Sequence, residues 1–226
     1  MGRAGRDTRS SVPAGIVPAA LLLTLMTAAA VALWVGASAA GPTPADAAAL
    51  RESMGLRTTD LTALAIAVTD VGSTVAMAIV ALATGAWLAA RRRMSDAVFV
   101  VGAWLGGLLL YRGLKIVLDR ARPPVSDRLV AVANESLPSG HATMATVVIG
   151  SLVALTWAGC TVATRTALVA LAVLWIGAVG ATRIYLGVHW FTDVVAGWLV
   201  GGAWLAVCVV AWSWWHRRHG RKDALT

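Results

Sequence analysis

Three short polar blocks interrupt long apolar stretches of this chain: residues 115–123 (KIVLDRARP), 138–141 (PSGH) and 182–193 (TRIYLGVHWFTD). Charged groups beside membrane-length apolar runs are costly, and where they are kept they mark a task. In the first block Lys115 and Arg122 stand seven residues apart. An ammonium beside a bidentate guanidinium makes a grip for phosphate. Pro123 and Pro124 stop a helix there and force an extended exit. The plainer alternative is that Lys115 and Arg112 only snorkel to the headgroups. Asp119, four residues after Lys115, is placed to pair with it.

The second block, Pro138-Ser139-Gly140-His141, directly precedes an apolar helix, and proline and serine suit a helix start. Free backbone N–H groups at such a start attract an anion, and Gly140 lets a ligand approach the backbone. His141, in the first turn, is positioned to give that anion a proton. An ordinary helix cap with an interfacial histidine is the alternative. In the third block Arg183 precedes His189 and Asp193, which are spaced i, i+4 and share one helix face if the last span begins near His189. A carboxylate on one ring nitrogen fixes the tautomer and leaves the other nitrogen free to attack. A structural His–Asp pair is the competing reading.

The elements that must carry these blocks follow from composition. Of 226 residues, 58% are hydrophobic and only 13% charged, with mean hydropathy +0.75. A soluble domain has nearly twice that share of charge. The expectation is an all-α membrane bundle of six helices in one domain, residues 1–226. The spans are 16–40, 71–90, 97–118, 142–161, 166–182 and 194–215, with basic tails 1–15 and 216–226. Residues 61–68 are too short to span, and between Asp60 and Asp70 they are expected to lie at the interface. An Arg-rich start, an apolar run and Ala37-Ser38-Ala39 loosely resemble a signal peptide, but the run is too long for one. The net charge of +8 does not form one basic face, so nucleic acid is not an expected partner. Cys160 and Cys208 have no disulfide or CxxC pattern and are read as packing residues.

Sidedness comes from the cations. The segments Arg3 to Arg9, Arg91 to Arg93, Arg165 and Arg217 to Lys222 hold 11 of the 19 basic residues. With six spans all four fall on one side, which the positive-inside rule makes cytoplasmic. The three polar blocks then face outward from the cell membrane and both termini lie inside. Trp212, Trp214 and Trp215 fit an aromatic belt at the inner interface.

Taken in order, the blocks resemble the signature of the type 2 phosphatidic acid phosphatase (PAP2) superfamily: K-x6-R-P, then P-S-G-H, then S-R-x5-H-x3-D. Lys115 to Pro123 and Pro138 to His141 match in full. Arg183, His189 and Asp193 match the third part, with Thr182 where the family usually has serine. The resemblance implies a phosphatase that works without a metal or other cofactor. His189 would be the nucleophile, Asp193 would orient it, and His141 would protonate the leaving group and then activate water. Lys115, Arg122, Ser139, Gly140 and Arg183 would bind the phosphoryl oxygens. A zinc site from His141, His189 and Asp193 is disfavoured, since the surrounding cations repel a metal.

The implied partners are the bilayer and a lipid phosphate or diphosphate, with undecaprenyl diphosphate preferred by family analogy. Phosphatidylglycerol phosphate and phosphatidic acid are the alternatives. A phosphotransferase and a non-catalytic lipid-phosphate binder are rivals from other classes. A transporter would instead place its charges near the midplane within paired repeats.

Overall fold

The computed structural model describes residues 41–220. The first expected span (16–40), the N-terminal tail and residues 221–226 lie outside the described residues. Seven helices follow in order: α1 (Pro44–Gly55), α2 (Thr59–Val71), α3 (Thr74–Ala90), α4 (Met94–Leu118), α5 (Gly140–Thr156), α6 (Val162–Tyr185) and α7 (Phe191–Gly220). Short 3-10 turns occupy Val125–Asp127 and Trp157–Gly159, and no strand occurs among the described residues. The all-α bundle expected from the sequence is the fold observed.

Hydroxyl residues start most of these helices. Thr43, Thr58, Ser73 and Thr161 each accept a hydrogen bond from a backbone N–H in the first turn of the helix they precede. This satisfies one of the donors that a helix start leaves without an internal acceptor. Among the described residues five segments are long and apolar enough to cross a membrane: Thr59–Ala90, Met94–Leu118, Gly140–Gly159, Val162–Tyr185 and Phe191–Arg218. The chain is a multi-pass membrane protein.

One boundary departs from expectation. The short helix expected over residues 61–68 is α2, which runs from Thr59 to Val71 and takes in both Asp60 and Asp70; with α3 it makes one apolar stretch of 32 residues. Asp70, read as a polar flank, is an exposed residue in the last turn of α2. Gly72 and Ser73 join the two helices, with Ser73 capping α3 through Ala76 N–H at 3.1 Å.

The core centres on α5, which packs against α3, α4, α6 and α7. Met77, Val100, Tyr111, Met144, Val148 and Val179 are buried there. The helices α5 and α7 approach closely where Gly197 and Gly201 form a GxxxG face. A Cβ on Gly197 would stand 2.8 Å from the Ser139 carbonyl oxygen, and one on Gly201 2.8 Å from that of Thr143. Only small residues let membrane helices meet so closely.

The alternation of helix directions brings the end of α4, the start of α5, the end of α6 and the start of α7 to one end of the bundle. That end carries all three polar blocks. At the opposite end Arg91, Arg165 and Arg218 lie over Trp87, Trp157 and Trp214 at 5.4, 5.2 and 3.8 Å. There Asp96 of α4 also accepts from Trp212 Nε1 (2.9 Å) and lies 3.1 Å from His216 Nε2, tying α4 to α7.

Candidate active site

The third block supplies the histidine, but not as a helical i, i+4 pair. His189 lies in the turn before α7, and Asp193 sits in the first turn of that helix. Asp193 Oδ2 accepts from Trp190 N–H at 2.9 Å, as an acidic residue at the third helical position commonly does for the residue before the helix. The same oxygen accepts from Ser136 Oγ at 2.5 Å and lies 3.4 Å from His189 Nδ1. Asp193 Oδ1 accepts from Arg120 Nη1 at 2.7 Å. Both the aspartate and the histidine are buried. With Nδ1 turned to the carboxylate, Nε2 faces Arg122 Nη1 at 3.2 Å. Burial pushes the His189 imidazole down to about 3, against the opposing pull of Asp193, so the ring is neutral near pH 7 and Nε2 keeps its lone pair.

The first block lines the same space. Lys115 is buried, and its Nζ donates to the carbonyl oxygens of Glu135 and Ser136. The pairing expected with Asp119 is not formed. Asp119 ends α4 in a left-handed conformation and is exposed, with its side chain outside the ammonium's partners. The loop from 119 to 139 folds back over Lys115 instead, held by Ser136 N–H to the Arg120 carbonyl at 2.8 Å. Arg122 donates to Asn134 Oδ1 and to the carbonyl oxygens of Asn134, Glu135 and Val188. Burial lowers this guanidinium to about 10, which leaves it a cation at neutral pH.

Ser139 precedes α5, yet unlike the other hydroxyl caps it makes no cap hydrogen bond, and its Oγ is buried without a partner. Arg183 is buried too: Nη1 donates to Thr69 Oγ1 at 2.8 Å while Nε has no partner. An unsatisfied buried hydroxyl and guanidinium N–H are costly, and two in one site suit an oxyanion ligand. His141 has no hydrogen-bond partner among the described residues and lies within electrostatic reach of Arg183, His189, Arg122 and Lys115. Gly140 has a packing reason to be glycine, since a Cβ would stand 2.9 Å from the Tyr111 ring. Among the described residues no group of three or more His, Cys, Asp or Glu is arranged to hold a metal ion.

All eight residues expected from the sequence therefore lie at one end of the bundle. Arg120, Ser136 and Asp46, which contact Asp193 directly or through one another, were not singled out. Arg120 sits inside the first block, but its role depends on partners 73 and 74 residues away.

A multi-pass helical bundle with a buried, cation-lined His–Asp site at one end defines a class of membrane protein. The chain belongs to the PAP2 superfamily, whose family model matches residues 96–218. Its fold is similar to that of the transmembrane PAP2-type phosphatidylglycerolphosphate phosphatase from Bacillus subtilis, at 24% identity and TM-score 0.69 over 85% of this chain and 93% of that one. It is also similar to Aquifex aeolicus LpxE, at 23% identity and TM-score 0.56 over 72% and 91%. No curated protein matches the chain in sequence.

Proposed function

We propose that this protein is a lipid phosphatase of the outer leaflet that works through a phosphohistidine at His189. The observation that carries the reading is the orientation of His189: Asp193 holds Nδ1, and Nε2 faces a pocket edge of Arg122 with the unpaired Ser139 hydroxyl and Arg183 Nε in the same site. In the first step Nε2 attacks phosphorus, an N–P bond forms, and the P–O bond to the leaving group breaks. His141 gives the departing oxygen its proton. In the second step His141 takes a proton from water, whose oxygen attacks phosphorus, and the N–P bond breaks to release inorganic phosphate. Lys115, Arg122, Arg183, Ser139 and the Gly140 N–H spread the charge on the phosphoryl oxygens, the main demand of phosphoryl transfer.

The substrate is proposed to be undecaprenyl diphosphate, by family analogy; the Bacillus subtilis neighbour's name makes phosphatidylglycerol phosphate its main competitor. A panel of lipid phosphates in detergent with excess chelator tests both points. Phosphate should be released from undecaprenyl diphosphate at least as fast as from phosphatidylglycerol phosphate or phosphatidic acid. A strong preference for a glycerolipid phosphate overturns the substrate assignment, and activity that returns only on adding zinc or magnesium overturns the metal-free mechanism.

Placement of the site outside the cell rests on the positive-inside rule. Ser126, exposed at the site end, and Arg92, exposed at the other, report on it. In a Cys160→Ser/Cys208→Ser background, an impermeant maleimide should label Ser126→Cys in intact cells and Arg92→Cys only after permeabilisation. The reverse pattern contradicts the orientation.

A further inference from the structure

Behind the His189–Asp193 pair lies a second buried charged group that the family signature leaves open. Arg120 occupies one of the six unspecified positions between Lys115 and Arg122, and Asp46, on α1, lies outside the residues the family model matches. Arg120 Nη1 donates to Asp193 Oδ1 at 2.7 Å and to Thr192 Oγ1 at 2.6 Å, while Nη2 donates to Asp46 Oδ2 at 2.8 Å. Asp46 in turn accepts from Thr192 N–H at 2.8 Å, from Thr192 Oγ1 at 3.0 Å and from Thr43 N–H at 2.9 Å. Both carboxylates are 0% exposed and the guanidinium side chain 4%.

We infer that Arg120 and Asp46 are positioning residues for the nucleophile, a two-carboxylate clamp on one guanidinium that fixes how Asp193 faces His189. The inference rests on the phosphohistidine reading above. The fork geometry of arginine explains the assignment. One arm takes Oδ1 of Asp193, which leaves Oδ2 for Ser136 Oγ, Trp190 N–H and His189 Nδ1. The other arm is held by Asp46, so the guanidinium plane cannot rotate with Asp193. Charge balance follows the same division. Arg120 is neutralised by Asp46, and the charge of Asp193 stays available for the cationic ring that forms when Nε2 takes the phosphoryl group. Asp46 thereby ties α1 to the chemistry as well as to the start of α7.

The groups facing His189 are Asp193, Arg122, Arg183 and His141, with the Ser136 hydroxyl beside Nδ1; Arg120 and Asp46 stand one residue behind. Only the last two belong to the clamp, which makes a clean set of variants: Arg120→Lys, Arg120→Met and Asp46→Asn, beside the parent and His189→Ala. A lysine keeps the charge but, as a point donor, cannot hold two carboxylates in one plane. The expected result is a fall in kcat of about tenfold for Arg120→Lys and Asp46→Asn and about a hundredfold for Arg120→Met, with KM within about twofold of the parent. In Arg120→Met the uncompensated carboxylates favour the protonated ring, so the acid limb of the rate profile moves to higher pH, while Asp46→Asn does not move it that way.

Arg120→Lys and Asp46→Asn preserve charge or shape and keep the test open if Arg120→Met fails to fold. Folded variants with parental kcat overturn the clamp, as does a rise in KM alone, and so do losses that track thermal stability with no change in pH profile. If the parent releases no phosphate, or His189→Ala matches it, the phosphatase reading itself fails. A working parent with a dead His189→Ala and unaffected clamp variants removes only the present inference.

Discussion

His189→Ala is expected to abolish turnover, by roughly a millionfold in kcat if the nucleophile is lost outright, and with it any acid-labile phosphoprotein. The expectation follows from geometry: His189 is the one imidazole in the site with a carboxylate on Nδ1 and with Nε2 turned to the Arg122 guanidinium, where a phosphoryl group would be held. His141 has a different part. It has no hydrogen-bonded orienter among the described residues and lies among the cations that would hold the phosphoryl group. Under the proposed mechanism it is the proton donor to the leaving group and matters most when that group is a poor one. His141→Ala should cost roughly 10²–10⁴ in rate with a lipid alkoxide leaving group, and much less with an activated aryl phosphate whose oxygen leaves unprotonated. Because the same residue then assists water, phosphoenzyme should accumulate in this variant from the activated ester. Paired rate measurements on the two substrates check the assignment. A phosphoenzyme in His189→Ala and none in His141→Ala with either ester would mean that the two roles are reversed.

Gly197→Val should be nearly as damaging, for a reason of packing. The Gly197 face brings α7 so close to α5 that a Cβ would stand 2.8 Å from the Ser139 carbonyl oxygen and 2.9 Å from the Ala142 Cβ. One atom is backbone and the other a short methyl, so neither can swing away, and the helices must separate. Ser139 and His141 ride on α5, while Asp193 rides on α7 and orients His189 just before it. A shift of about 1 Å at this contact is enough to cost two orders of magnitude in rate. Gly202→Val is the control, since nothing lies within 4 Å of a Cβ there. Folded yield, thermal midpoint in detergent and phosphate release should all fall for Gly197→Val and stay near the parent for Gly202→Val. Equal behaviour of the two variants contradicts the close-contact account.

The bundle was legible because apolar length alone marks a membrane helix, and hydropathy reads it directly. The bounds were less legible at residues 61–68, where Asp60 and Asp70 looked like flanks but both lie inside α2. The site was legible because its residues are few, unlike their apolar surroundings, and grouped in three short blocks. Residue spacing predicted that His189 and Asp193 meet, though they meet through the turn before α7 and its first-turn aspartate, with the histidine outside the helix. Spacing misled at Lys115, where Asp119 was the near partner in sequence and two carbonyl oxygens of the returning loop are the partners in space. Arg120 and Asp46 carried no local signal at all. Asp46 reads as half of a capping box with Thr43, which it is, and nothing nearby in the chain betrays its second contact.

The most direct test of the central claim is chemical. The His141→Ala protein is mixed with a substrate labelled in its transferable phosphoryl group and quenched in alkali, where phosphohistidine survives, and the attachment site is mapped by mass spectrometry. The account predicts a stoichiometric, acid-labile phosphoryl group on His189, absent when His189→Ala is added to the same background. An acid-stable label, a label on another residue, or phosphate release with no protein-bound intermediate contradicts it.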